Sequence, residues 1–187
     1  GYSRTTWVKV NGGEESKASE ITDNLSKQGE SDTVSFRNKY TKYGSLTFNK
    51  TFAGEGITAD QLSNEQKDAI VFSVKKVNED GSYGDAVLLD GSKVEDFNYS
   101  SMAETGSVTI NNLPAGDYVV IETITDADLK AKFAEYTWKA EVSSDNTTWT
   151  AGNEAAGKVE QSKDTAVYMK NTLNRVVDKQ ILNYDET

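Results

Sequence analysis

Apolar and polar residues alternate along the chain in short runs, and the runs are separated by Gly, Asn and Asp with a single proline among 187 residues. A period of two places successive side chains on opposite faces of an extended backbone, so such runs predict strands. The pattern marks strands at Thr5–Val10, Thr33–Asn38, Ser45–Phe52, Ile70–Val77, Ser107–Ile110, Tyr118–Thr123, Thr137–Ser143 and Ala166–Asn171. A weaker run covers Arg175–Leu182. Two stretches break the alternation with a capping residue followed by helix formers, Thr58–Ala69 and Asp126–Phe133, and predict helical crossings at an edge or end of the β structure. Many short strands with turn residues between them predict an all-β sandwich or barrel.

The chain also carries half of a repeat. Thr5-Thr6-Trp7-Val8-Lys9-Val10, a polar stretch and Asp32-Thr33-Val34-Ser35-Phe36-Arg37-Asn38 are echoed by Tyr136-Thr137-Trp138-Lys139-Ala140-Glu141-Val142, a polar stretch and Asp164 to Asn171. Trp7 precedes Asn38 by 31 residues and Trp138 precedes Asn171 by 33. Self-similarity of this kind is the mark of tandem modules. Residues 1–43 therefore read as the last strands of a preceding module, 44–174 as a complete module, and 175–187 as a tail or the first strand of a following one. Gly1 stands in mid-pattern, so the expectation is a segment of a longer exported protein with its anchor outside these residues.

Composition narrows the chemistry. With neither Cys nor His, disulfides, thiol nucleophiles, Ser-His-Asp triads and zinc fingers drop out. A net charge of -10 opposes binding to a phosphate backbone, so nucleic acid is not expected as a partner. No apolar run approaches the roughly 20 residues of a bilayer span, so no membrane partner is expected within these residues. An extracellular β protein without disulfides makes another covalent staple worth seeking.

Three polar residues stand where the alternation points inward. Leu46, Phe48 and Lys50 share one face of their strand; Tyr118, Val120 and Glu122 share one face of theirs; Val167, Met169 and Asn171 share one face of the last. A lysine and a glutamate cost several kcal/mol each to bury charged and alone, so inward positions require that they meet, change protonation or react. Burial favours the neutral amine of a lysine and the protonated acid of a glutamate. A neutral Lys50 amine can attack the side-chain carbonyl of Asn171 while Glu122 assists, expelling ammonia, and proximity supplies the rate. The alternatives are a surface ion pair on an edge strand for Lys50 and Glu122, and a strand-end turn residue for Asn171.

The order Leu46-Thr47-Phe48-Asn49-Lys50-Thr51, then Asn112-Leu113-Pro114-Ala115-Gly116-Asp117-Tyr118-Val119-Val120-Ile121-Glu122-Thr123, then Lys170-Asn171-Thr172, resembles the Cna-B-type domains of Gram-positive collagen adhesins and sortase-assembled pilins. The resemblance covers about residues 44–172. It implies an immunoglobulin-like β-sandwich with a Lys50–Asn171 isopeptide bond promoted by Glu122, no cofactor and no metal. It also implies a stalk or spacer role in a cell-wall-anchored adhesin or pilus, with neighbouring modules as partners. The chain departs from compact members in its helical insertions. By the same resemblance Asn38 is the acceptor of the preceding module, and Lys179, on one face with Val177 and Ile181, is the first-strand lysine of a following one; a pairing of Lys179 with Asn38 is the less expected alternative.

Other features read more plainly. Trp7 and Trp138, at matching repeat positions, are expected in a core, and Trp149, between two threonines, is the exposed candidate for stacking on a glycan. A ligand-binding module for a host extracellular-matrix protein or glycan is the competing function. Asn78–Asp85 lacks the closing glutamate of a calcium loop and predicts a hairpin turn. Leu113–Gly116 predicts the turn before the Tyr118 strand. No carboxylate pair in a Trp-lined cleft supports a glycosidase, so no enzyme activity beyond one self-modification is expected.

Overall fold

The computed structural model describes residues 2–18, 20, 29, 31–102 and 104–176. The strands are β1 (Tyr2–Val10), β2 (Ser16–Lys17), β3 (Val34–Ala53), β4 (Ile70–Val77), β5 (Tyr83–Asp85), β6 (Phe97–Asn98), β7 (Ser107–Pro114), β8 (Gly116–Ile124), β9 (Tyr136–Ser143), β10 (Thr150–Ala151), β11 (Glu154–Val159) and β12 (Asp164–Arg175). Helix α1 (Asn64–Asp68) follows a 3-10 turn at Ala59–Gln61, and α2 (Ala127–Ala134) follows β8. Two sheets pack face to face as an immunoglobulin-like β-sandwich. One runs β10-β9-β12-β3 with β7 also on β3, and the other runs β11-β8-β4 with β5 and β6 on β4.

The alternation read from the sequence matches burial. Leu46, Phe48, Ile70, Phe72, Val74, Tyr118, Val120, Val167, Met169 and Leu173 all face the core between the sheets. β3 and β12 lie parallel, Ser45 opposite Asp164 through Ala53 opposite Thr172, while β12 is antiparallel to β9 on its other edge. This side-by-side placement of the first and last strands of the sandwich sets up everything at the site.

Several expectations change. Thr33–Asn38 and Ser45–Phe52 are not separate strands but parts of one, the 20-residue β3. Its N-terminal half pairs with β1, and its C-terminal half pairs with β7 and β12. Gly44, just ahead of the predicted Ser45–Phe52 strand, sits mid-strand in β3. A Cβ there would lie 2.7 Å from Val159 Cγ1 and 2.8 Å from Lys163 O, so the glycine permits close approach of two segments. The predicted Thr58–Ala69 helix is interrupted, because Ser63 accepts a hydrogen bond from Gln66 N–H and caps a new helix. Four short strands, β2, β5, β6 and β10, are too brief for periodicity to show, and β11 is hidden by its Ala-Ala-Gly composition.

Asn78–Asp85 is a hairpin turn closed by Asn78 N–H donating to Ser82 O, with Gly81 at φ 81°. The Leu113–Gly116 turn carries the chain from one sheet to the other, and the buried Tyr118 hydroxyl donates to Pro114 O. Trp7 and Trp138 are not core residues. Trp7 is half-buried beneath the Arg37 guanidinium, 4.1 Å from its ring centroid, and Trp138 is 38% exposed with one edge against Phe133. The pairing registers explain the difference: Asn38 stands opposite Thr6, which puts Trp7 on the other face, whereas Asn171 stands opposite Ala140 and shares a face with Trp138. The predicted strand beyond Arg175 and Val176 lies outside the described residues, as does Lys179. No helix among the described residues is long and apolar enough to cross a membrane.

Candidate functional site: a buried lysine, glutamate and asparagine

Three strands deliver one polar side chain each into the apolar interior. β3 and β12 bring Lys50 and Asn171 from the same sheet, with Lys50 opposite Met169, two residues before Asn171. β8 brings Glu122 from the facing sheet. All three are buried, at 1%, 0% and 4% exposure respectively. This excludes the surface ion pair and the turn residue as their roles. The walls are aromatic: Phe48 stacks at a tilt on Phe72 at 4.7 Å, and the Phe52 ring centroid lies 5.4 Å from Lys50 Nζ.

Glu122 Oε1 is the hub. Lys50 Nζ approaches it to 2.9 Å, and Asn171 Nδ2 donates to the same oxygen at 2.9 Å. The amine contact is an ion pair without regular hydrogen-bond geometry. Burial pushes the Lys50 pKa down from its ordinary value, and the attraction of Glu122 offsets this only in part. Among the described residues the buried side-chain polar atoms without a hydrogen-bond partner are Lys50 Nζ, Glu122 Oε2 and Asn171 Oδ1. Such atoms are rare and costly in a native interior, and here they lie on one cluster.

The backbone at Glu122 is pinned by a residue that sequence reading did not single out. Glu122 N–H donates to Asn153 O, and Asn153 Nδ2 donates back to Glu122 O at 3.1 Å. Asn153 lies just before β11, and nothing in the sequence pattern links it to Glu122. Phe52, whose ring also lies beside the amine, was legible only as the next inward position after Lys50.

The other predicted residues lie elsewhere. Asn38 is exposed on the N-terminal half of β3, where its Oδ1 accepts a 2.7 Å hydrogen bond from Thr6 Oγ1. Trp149 is half-buried, with Lys170 Nζ 4.0 Å from its ring centroid and Glu141 Oε2 3.4 Å from that amine. A cation therefore already covers one face of the ring. No group of three or more metal-ligating side chains occurs among the described residues.

Fold and site together define a β-sandwich whose first and last strands meet a carboxylate of the facing sheet at one buried Lys-Glu-Asn cluster. Solved structures similar to it include the minor pilin of the Gram-positive pathogen Streptococcus agalactiae (17% identity, TM-score 0.42, covering 93% of this chain and 69% of that one). A bacterial adhesin from Mobiluncus mulieris containing intramolecular disulfide, isopeptide and ester bond cross-links is similar over 76% of this chain and 44% of that one (17% identity, TM-score 0.44). The major pilin of Streptococcus pyogenes is similar over 76% of this chain and 50% of that one (19% identity, TM-score 0.34). The chain thus spans about half the length of the last two. These are pilins and adhesins, as in the resemblance read from the sequence. No protein-family model and no curated protein matches the chain.

Proposed function

We propose that the chain is a stalk or spacer segment of a cell-surface adhesin or pilus, locked by an intramolecular isopeptide bond between Lys50 and Asn171 that Glu122 promotes. The observation that carries this reading is the shared contact at Glu122 Oε1, which touches both the attacking nitrogen, Lys50 Nζ, and the departing one, Asn171 Nδ2. One carboxylate oxygen is placed to take a proton from the first and hand one to the second.

The atoms balance as follows. The Lys50 ammonium gives a proton to Glu122, and the neutral amine attacks Asn171 Cγ. As the tetrahedral centre collapses, the new nitrogen loses a second proton, Nδ2 gains one through Oε1, the Cγ–Nδ2 bond breaks and ammonia leaves. Glu122 ends protonated, and the new amide replaces a buried charge pair that is expensive to keep. The reaction runs once per chain, so the protein is not an enzyme.

The topology gives the bond a mechanical purpose. β3 enters the sandwich from its N-terminal end and β12 leaves it by its C-terminal end, and the two lie parallel and adjacent. Tension applied along the chain passes from β3 to Lys50, across the bond to Asn171, and out through β12. The roughly 120 residues between them are bypassed. Closing a loop of that size also restricts the unfolded chain by about 5 kcal/mol on the entropy model.

Intact-protein mass spectrometry tests the reading. The wild-type chain is expected to weigh one ammonia less than its sequence, and Lys50→Ala, Glu122→Ala and Asn171→Ala to show full mass with lower resistance to heat and protease. A wild-type chain at full sequence mass would sink the proposal.

A further inference from the structure

We propose that Asn153 is a positioning residue for the reaction between Lys50 and Asn171, holding the main chain of Glu122 so that one carboxylate oxygen reaches both nitrogens. This role rests on the isopeptide reading above and adds to it a residue hydrogen-bonded to the main chain of Glu122 and to none of the reacting atoms.

A catalytic base is ordinarily oriented by a third group hydrogen-bonded to it. The Glu122 carboxylate has no such group. Its Oε1 is occupied by Lys50 Nζ and Asn171 Nδ2, each at 2.9 Å, and its Oε2 has no hydrogen-bond partner. The polar contacts of the side chain are thus with the reactants themselves, and what places it independently of them is the main chain from which it projects. Both polar main-chain groups of Glu122 go to Asn153: its N–H donates to Asn153 O at 2.9 Å, and its C=O accepts from Asn153 Nδ2 at 3.1 Å. On the other edge of β8, Glu122 stands opposite Phe72 of β4. A residue in an antiparallel sheet exchanges its hydrogen bonds with one neighbouring strand and turns them away from the other, so the β4 edge does not hold Glu122 in the same way.

The Asn153 side chain does the work of a main-chain donor. β11 pairs with β8 from Val159 opposite Gly116 to Glu154 opposite Ile121, so Asn153 falls opposite Glu122 when that register is continued. A regular pair at this point would exchange two main-chain bonds. Here the chain is crossing between sheets: Gly152 N–H donates to Ala140 O, while Ala151 and Thr150 pair with Glu141 and Val142 of β9. The Asn153 amide supplies the return bond to Glu122 O at the point of crossing.

The crossing links the two halves of the site. Ala140, which accepts from Gly152, stands opposite Asn171 in the β9–β12 pair. Residues 151–153 therefore form a brace from the strand beside Asn171 in one sheet to Glu122 in the other, and the brace sets how far apart acceptor amide and carboxylate stand across the core. Rates of this kind are sensitive to such spacing, since a misplacement of about 1 Å costs on the order of a hundredfold. Asn153 is itself exposed, so its replacement opens no cavity beside the reacting atoms.

Full chains made by cell-free translation and sampled over time by intact-protein mass spectrometry give the rate at which ammonia is lost. Asn153→Ala and Asn153→Asp are expected to lose it at least about tenfold more slowly than the wild type, the second because it keeps the shape of the side chain and lacks the donor. Tyr83→Phe removes a 2.8 Å hydrogen bond to the Glu154 side chain, one residue along, and should react at the wild-type rate. In a Lys50→Ala background, where no bond can form, adding Asn153→Ala should lower the thermal midpoint by no more than about 4 °C, which separates positioning from stability. Either Asn153 variant reacting within about twofold of the wild type would overturn the positioning role and leave the bond standing. A slow reaction accompanied by a larger fall in the midpoint, or an equal slowing in Tyr83→Phe, would overturn it as well. A wild-type chain that keeps its full mass would remove the bond and the role together.

Discussion

On the proposed reading the chemistry turns on Lys50, because its amine is buried beside a carboxylate and an amide. In an Asn171→Ala variant the amine has nothing to attack and its titration becomes visible. Its pKa lies below the ordinary 10.5, so between the two values the unfolded chain holds a proton that the folded chain does not. The Lys50 contribution to that variant's stability is expected to rise with pH and to be complete by 10.5, which denaturant midpoints across a pH series up to about 10 would show; a flat profile there would mean that Lys50 stays charged beside Glu122. Tyr118 acts in the opposite sense. Burial pushes its phenol up to about 12 while the unfolded value is 10.0, so the unfolded chain ionises first as pH rises and stability is lost between the two. Tyr118→Phe should lessen that alkaline loss while costing about 1 kcal/mol at neutral pH through the missing hydrogen bond to Pro114 O.

At the scale of elements, β3 pairs with β1, β7 and β12, and one of its tightly packed points is a glycine. Gly44 lies where β3 passes Val159 and the chain just before β12, and any side chain there meets backbone carbonyl oxygen and the Val159 methyl. Gly44→Ala is expected to cost about 1–3 kcal/mol, read as a lowered thermal midpoint, even though alanine is the smallest possible addition. A neutral result would mean that the β3 and β12 segments can part without penalty. The same strand shows how far pattern reading goes. The alternation gave the inward positions of Leu46, Phe48 and Lys50 correctly, but it carried no sign that Gly44 lets a neighbouring segment come close. Short elements such as β5 and β10 carry too few residues for any period to register.

At the scale of the whole molecule, the parallel placement of β3 and β12 sets the path that tension would take through the proposed clamp. In single-molecule stretching from its two ends, the wild-type chain is expected to show no extension from the segment between Lys50 and Asn171. Lys50→Ala should release roughly 120 residues, on the order of 400 Å of contour. Release of that length from the wild-type chain would count against the bond as a mechanical clamp. The 20-residue β3 also runs unbroken from the half paired with β1 into the sandwich, so a pull on that half is delivered directly to the strand that bears Lys50.

By itself the sequence determined the strand-rich fold and the inward positions of Lys50, Glu122 and Asn171, because a period of two and the cost of burying polar groups are local statements about a chain. It also marked Asn38 and the likeness between the two ends. Only the tertiary structure decided that one glutamate oxygen touches both nitrogens, that Asn153 holds that glutamate's backbone, and that Trp7 and Asn38 face opposite ways. Those facts depend on register and on which strands lie side by side, and register is set by the sum of contacts across a sheet, where a shift of one residue reverses every side chain.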